Sequence, residues 1–197
     1  MFRPGVFGLV VAALLAANSP AFAHSAHEKP APAPLALDIG GPFTLIDHQG
    51  DPVTDRDFHG RFLLVFFGYA NCPGVCPIGL HTMTEALDLL GAEQAAAVVP
   101  VLITVDPARD TPATLAPAVA KIHPRLIGLT GSPADLSAAR QAYKVGAEAT
   151  GRDLAGGALY RHGTFIYLMG PDGRFLSLFP PVMPPAALAA AIARYLP

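Results

Sequence analysis

Six apolar residues in unbroken succession, Phe62-Leu63-Leu64-Val65-Phe66-Phe67, constrain the fold more than any other stretch of the chain. A strand without a polar face must be covered on both sides. It therefore belongs in the middle of a sheet that carries helices on each face. A second such run, Val98 to Val105, asks for the same environment. Between them Leu80, Met83, Leu87 and Leu90 recur at helical spacing, and Gly91 is expected to stop that helix. Strand, helix, strand in this order is the parallel crossover unit of α/β proteins.

The rest of the chain extends this pattern. Phe43 to Asp47 reads as a short strand, His48 to Asp51 as a turn, and Asp51 to Asp57 as polar loop. Thr111-Pro112 and Ser132-Pro133 each pair an N-cap residue with proline at the first helical position. Leu115, Val119 and Ile122 share one face of the first of these helices, which Pro117 should kink. Leu136, Ala139 and Tyr143 form the stripe of the second, and Leu126 to Leu129 is a short strand between the two. Val145 to Leu159 is rich in glycine, lacks periodicity and reads as a loop. Phe165 to Met169 and Arg174 to Phe179 form a hairpin around Gly170-Pro171-Asp172-Gly173, and Ala186 to Leu196 is a closing helix. The expected fold class is α/β: a thioredoxin-like fold whose central, mainly parallel sheet has an antiparallel edge hairpin and flanking helices. With 52% apolar and 14% charged residues the chain is far from disordered composition. A net charge of −2 offers no broad attraction to nucleic acid.

The first residues read as an address. Arg3 precedes an apolar run from Val6 to Ala17, and Ala21-Phe22-Ala23 is a small-x-small cleavage site. The run is shorter than the roughly 20 residues that span a bilayer, so a cleavable signal over 1–23 is favoured over an uncleaved anchor. A Pro/Ala-rich linker follows over 24–38 and one domain over 39–197. Either form of the leader puts the domain outside the cytoplasm, in the periplasm. Cleavage would expose His24, with His27 nearby; these read as tail residues, although a terminal amine and imidazole can chelate Cu(II).

Both cysteines of the chain, Cys72 and Cys76, fall between the first buried strand and its helix. That is the carboxyl end of a strand, where α/β folds place their sites. A helix N-terminus there, beginning at Pro73 or Pro77, favours thiolate over thiol. Two thiolates are soft donors that select Cu(I), and they can also close a disulfide. As a mere staple this small loop would contribute little, and two cysteines cannot complete a structural zinc site. A trigonal Cu(I) site needs a third donor. His162, on a loop entering the Phe165 strand, is the first candidate, and His81, in the cysteine-bearing helix, is the second. His48, His59 and His123 border turns or helix ends. Asp106 and Asp110, after the second central strand, are turn or helix caps, or they orient a partner or support a ligand at the site mouth.

At these residues the chain resembles the SCO/SenC family of copper chaperones. The matching pieces are Phe67-Gly68-Tyr69 leading into Cys72-Pro73-x-x-Cys76-Pro77; Val105-Asp106-Pro107-x-Arg109-Asp110-Thr111-Pro112; Gly128-Leu129-Thr130-Gly131; and His162-x-Thr164-Phe165-x-Tyr167-Leu168-Met169-x-Pro171-Asp172-Gly173. The resemblance implies a thioredoxin-like fold with copper held by Cys72, Cys76 and His162. It implies delivery to the dinuclear copper centre of cytochrome c oxidase subunit II, or upkeep of that subunit's reduced cysteines. The expected partners are that subunit or a related copper protein, met in transient membrane-protein contact, and another periplasmic copper carrier; the chain itself is expected to be a monomer. Two departures stand out. Pro73-Gly74-Val75 lacks the acidic residue that members commonly carry between the cysteines, and Asn71 stands where histidine is often found. Losing the carboxylate removes an outer hydrogen-bond acceptor that tunes thiolate pKa and copper affinity.

The competing activity is a thiol–disulfide oxidoreductase in which Cys72, more exposed and nearer the helix terminus, attacks and Cys76 resolves. Against it, the spacing is not Cys-x-x-Cys and the chain has no Trp. A peroxiredoxin-type peroxidase would have Thr three residues before its reactive Cys, where Tyr69 stands.

Overall fold

The computed structural model describes Met1 and residues 37–197. The leader beyond Met1, residues 24–36 of the linker, and His24 and His27 lie outside the described residues. No described helix is long and apolar enough to cross a membrane.

Strand β3 (Phe62–Gly68) is buried along its whole length, as its apolar run requires. It pairs in parallel with β4 (Val98–Thr104), Phe66 opposite Leu102, and antiparallel with β8 (Ile166–Met169). The seven-stranded sheet has the order β2-β1-β5-β4-β3-β8-β9, with β1 (Thr44–Asp47), β2 (Pro52–Thr54), β5 (Ile127–Thr130) and β9 (Phe175–Phe179). Its centre, β5-β4-β3, is parallel, and the β8–β9 hairpin forms the expected antiparallel edge. The β1–β2 pair makes the other edge antiparallel as well.

Alternate β3 side chains face opposite layers. Phe66 lies under helix α1 (Cys76–Asp88), where a Cβ at Gly79 would come within 2.7 Å of its ring. Helix α3 (Pro112–Ile122) closes onto β5 on the same face, with Val119 and Leu115 over Gly128. Helix α5 (Pro185–Ala193) packs beside α1. On the opposite face Phe67 meets Tyr143, at the end of α4 (Pro133–Ala142), at 5.4 Å between ring centroids, and Tyr167 at 6.2 Å. Each of these buried aromatic side chains contributes on the order of 2–3 kcal/mol of burial. The two Pro-N1 helices start where expected: Thr111 accepts from the Thr114 N–H, and Ser132 from the Asp135 N–H.

Four local expectations are corrected. Helix α1 ends at Asp88, and Gly91 instead caps the short α2 (Ala92–Ala96). Residues 51–57, read as polar loop, supply strand β2 and most of a 3-10 turn (Asp55–Phe58) whose Phe58 is buried. Helix α3 runs on through Pro117, and Ile122 is 38% exposed rather than part of its packed face. Residues 145–159 are not a loop: β6 (Ala147–Arg152) and β7 (Ala158–His162) form an antiparallel hairpin of their own. Main-chain pairing joins its strands, β6 is exposed along nearly its whole length and β7 is half-buried, so no apolar alternation marks them.

Candidate metal centre

The chain leaves β3 at Gly68, where a Cβ would stand 3.3 Å from the Cys76 sulfur; glycine lets that sulfur lie against the strand end. Tyr69 follows, buried, and the Cys72 N–H donates to its carbonyl at 3.2 Å. The Ala70 N–H donates to Asp110 Oδ2 at 3.0 Å, and that oxygen also accepts from Thr104 Oγ1 at 2.6 Å. Buried Asp110 is therefore a strut under the cysteine loop. This is the ligand-supporting role expected of it, exercised through the Ala70 main chain, while Thr111 rather than Asp110 caps α3. Burial raises the Asp110 carboxyl above its ordinary value.

Cys76 is the first residue of α1, with Pro77 behind it, no side-chain cap and no acidic residue in the first turn. The helix thus starts at neither Pro73 nor Pro77. Cys76, not Cys72, is the cysteine at the helix terminus, while Cys72 is the more exposed of the two thiols. Cys72 is pulled down to about 4, chiefly by the hydrogen bond from the Cys76 thiol, with the Gly74 and Cys76 main-chain groups adding to it against desolvation. Cys76 is pushed up, because its proton is held by Cys72 and because it is buried. The pair therefore shares one proton, which Cys76 holds in preference to Cys72. Burial, with the two sulfurs nearby, also raises Tyr69.

His162, expected on a loop, is instead the last residue of β7, and it completes the cluster. Its Nε2 lies 3.3 Å from Cys76 Sγ, and its Nδ1 lies 2.9 Å from the Gly163 carbonyl oxygen. A carbonyl only accepts, so Nδ1 carries the hydrogen and Nε2 turns its lone pair to the sulfurs. Phe66 and Tyr69 meet the imidazole edge-on at 6.5 and 6.0 Å. The donor atoms of Cys72, Cys76 and His162 all lie within 4.8 Å of one another. Two sulfurs and one imidazole nitrogen at this separation fit a soft ion, and binding one would expel the shared proton.

The other candidates lie elsewhere. His81 is on the outer face of α1, 3.1 Å from Glu85 and well exposed. His48 accepts from the Gly128 N–H at 3.3 Å, His123 meets Asp88 at 3.2 Å, and His59 stands 4.0 Å from Asp55. Asp106 is buried and receives Arg109 and the Tyr160 hydroxyl. Arg109, Asp153 and Tyr160 border the centre without any local pattern that marks them; only Arg109 falls in a motif quoted above.

A thioredoxin-like domain with two cysteines at the mouth of its central strands and a histidine brought in by an added hairpin defines a class of soft-metal and thiol proteins. Within that class, this chain belongs to the SCO1/SenC family, whose sequence profile matches residues 31–197. It is 42% identical over 168 residues to protein SenC of Rhodobacter capsulatus, covering 82% of this chain and 72% of that one. It is 38% identical over 160 residues to protein sco1 of Schizosaccharomyces pombe, covering 80% of this chain and 60% of the relative. It therefore spans less than two thirds of the fission-yeast protein. The copper-bound structure of Bradyrhizobium japonicum ScoI superposes with a TM-score of 0.73 at 42% identity, over 80% of this chain and 99% of that one.

Proposed function

We propose that this chain is a copper chaperone that holds Cu(I) or Cu(II) between Cys72, Cys76 and His162. The observation that carries this reading is the convergence of the three donor atoms within 4.8 Å of one another, with Nδ1 of His162 already committed to Gly163. The copper bound to the Bradyrhizobium relative supports it. Buried Cys76 anchors the ion, and half-exposed Cys72 is the donor an incoming ligand meets first. The recipient, from the family resemblance, is the dinuclear copper centre of cytochrome c oxidase subunit II. In this reading residues 1–23 export the domain to the periplasm and 24–38 tether or space it.

An anaerobic Cu(I) titration against a competing chelator tests the site. One equivalent binds tightly, and His162→Ala weakens it by at least about tenfold. Unchanged affinity in that variant ends the reading.

The thiolate–thiol asymmetry favours a second activity at the same residues. The Cys72 thiolate attacks a partner disulfide and releases one partner thiolate. Cys76 then gives up its proton and attacks Cys72, releasing the second. Two electrons leave the Cys72–Cys76 pair, which ends as a disulfide. A Cys76→Ser variant that accumulates no mixed disulfide with a disulfide substrate counts against this reading.

A further inference from the structure

The hairpin that delivers His162 pairs with no strand of the main sheet. Its base is closed by the Gly163 N–H on the Gly146 carbonyl, which joins the hairpin only to its own ends. Among its links to the body of the protein, the one that gathers most contacts is the Arg109 guanidinium, on the loop after β4. Nε donates to the Asp106 carboxylate on its own loop, Nη1 to Asp153 Oδ2 at 2.7 Å, and Nη2 to the Ala158 carbonyl. The guanidinium carbon sits 5.7 Å from the centre of the Tyr69 ring. Asp153 in turn organises the hairpin's turn, its Oδ1 accepting from the Ala155 and Gly157 N–H groups at 2.9 and 2.8 Å. A Cβ at Gly157 would collide with Nη1, so glycine opens the turn to admit the guanidinium. Around it, the Tyr160 N–H donates to the Tyr69 hydroxyl at 3.3 Å and the Tyr160 hydroxyl to Asp106 at 3.4 Å.

We propose that Arg109 is a positioning residue for the metal centre: it docks the β6–β7 hairpin onto the β4 loop and so holds His162 Nε2 at the cysteine sulfurs. Two carboxylates face this one guanidinium, and Asp106 is buried. Without Arg109 they repel, and the hairpin loses its charged anchor. The cysteines have supports besides Arg109, namely Asp110 on Ala70 and the start of α1. Loss of the clamp therefore removes the nitrogen donor and leaves the sulfurs in place. Only the consequence for copper rests on the chaperone reading; the docking role does not.

Arg109→Lys keeps the charge over Asp106 but cannot span three acceptors. Asp153→Asn, at the other end of the clamp, guards against a variant that fails to fold. In the reduced, metal-free protein, both substitutions shift the His162 ring-proton resonances away from the field of Phe66 and Tyr69. They also speed amide exchange in β7 by about tenfold, the loss of one charge-assisted hydrogen bond, while β3 and β4 keep their protection. Unmoved His162 resonances overturn the proposal. With Cu(I), Arg109→Lys weakens binding by about tenfold in the wild-type background and by nothing further in the His162→Ala background. An equal loss in both backgrounds also overturns it. If His162→Ala leaves copper affinity intact, the chaperone reading falls, and the metal-free resonances still decide the role of Arg109.

Discussion

At the scale of single residues, the centre is decided by where one proton sits. Cys72 and Cys76 are the same chemical group, yet the hydrogen bond between them and then the burial of Cys76 drive their pKa values apart. Alkylation by iodoacetamide checks this. Cys72 should react at a rate nearly independent of pH between about 5 and 8, whereas an ordinary thiol slows about tenfold per unit below its pKa. Cys76→Ala removes the donor that contributes most, so the Cys72 pKa rises and its reaction at pH 6 slows. A wild-type rate that climbs steadily across this range would refute the assignment. The departures from the family pattern act at this scale too. No carboxylate lies between the cysteines, so the nearest acidic support is Asp110, acting through the Ala70 main chain. The identity of the cysteines as the reactive pair was legible from their place between a buried strand and a helix. Which of them sits at the helix terminus was not, because that depends on where the first turn begins after Pro73-Gly74-Val75.

Among the secondary elements, α1 and the β6–β7 hairpin bring the donors together, and they differ in legibility. Helix α1 carries an apolar stripe dictated by the sheet beneath it, with Leu80, Met83 and Leu87 all buried. Its seating depends on Gly79, where a Cβ would stand 2.7 and 2.9 Å from ring carbons of Phe66 and 3.1 Å from Pro181. Gly79→Ala should therefore destabilise by about 1–3 kcal/mol of overpacking, outweighing the roughly 1 kcal/mol that alanine gains in helix propensity. The displaced Phe66 ring borders the His162 imidazole, so the same variant shifts the His162 resonances. Chemical denaturation and NMR read the two effects, and a stabilised variant would show that α1 is not wedged there. The hairpin has no such stripe. Ala-Glu-Ala-Thr-Gly-Arg faces solvent on both sides, and its register slips at Ala149/Gly151, which is why its pattern reads as loop.

For the molecule as a whole, the sheet and the hairpin are two bodies of unequal stability. The centre of the sheet is buried on both faces between α1, α3 and α5 on one side and α4 on the other. The hairpin is anchored by a few polar contacts and by the Tyr160 ring, which meets Tyr69 at 5.5 Å. Native-state hydrogen exchange should find β3 and β4 amides opening only with global unfolding, while β6 and β7 amides open locally and exchange far sooner. Uniform protection would contradict this division. What the sequence determined alone is whatever follows from local pattern. Unbroken apolar runs demand a covered sheet, capped Pro-N1 segments begin helices, and two cysteines after a buried strand place soft donors at the sheet's mouth. What only the tertiary structure decided is whatever depends on residues far apart in the chain. His162 rather than His81 meets the sulfurs, Asp110 braces the loop that precedes them, and Arg109 ties the histidine's hairpin to the sheet. The physical reason is range. Periodicity and capping act over a few residues, but a contact across 86 positions, such as that between Cys76 and His162, exists only once the chain has closed.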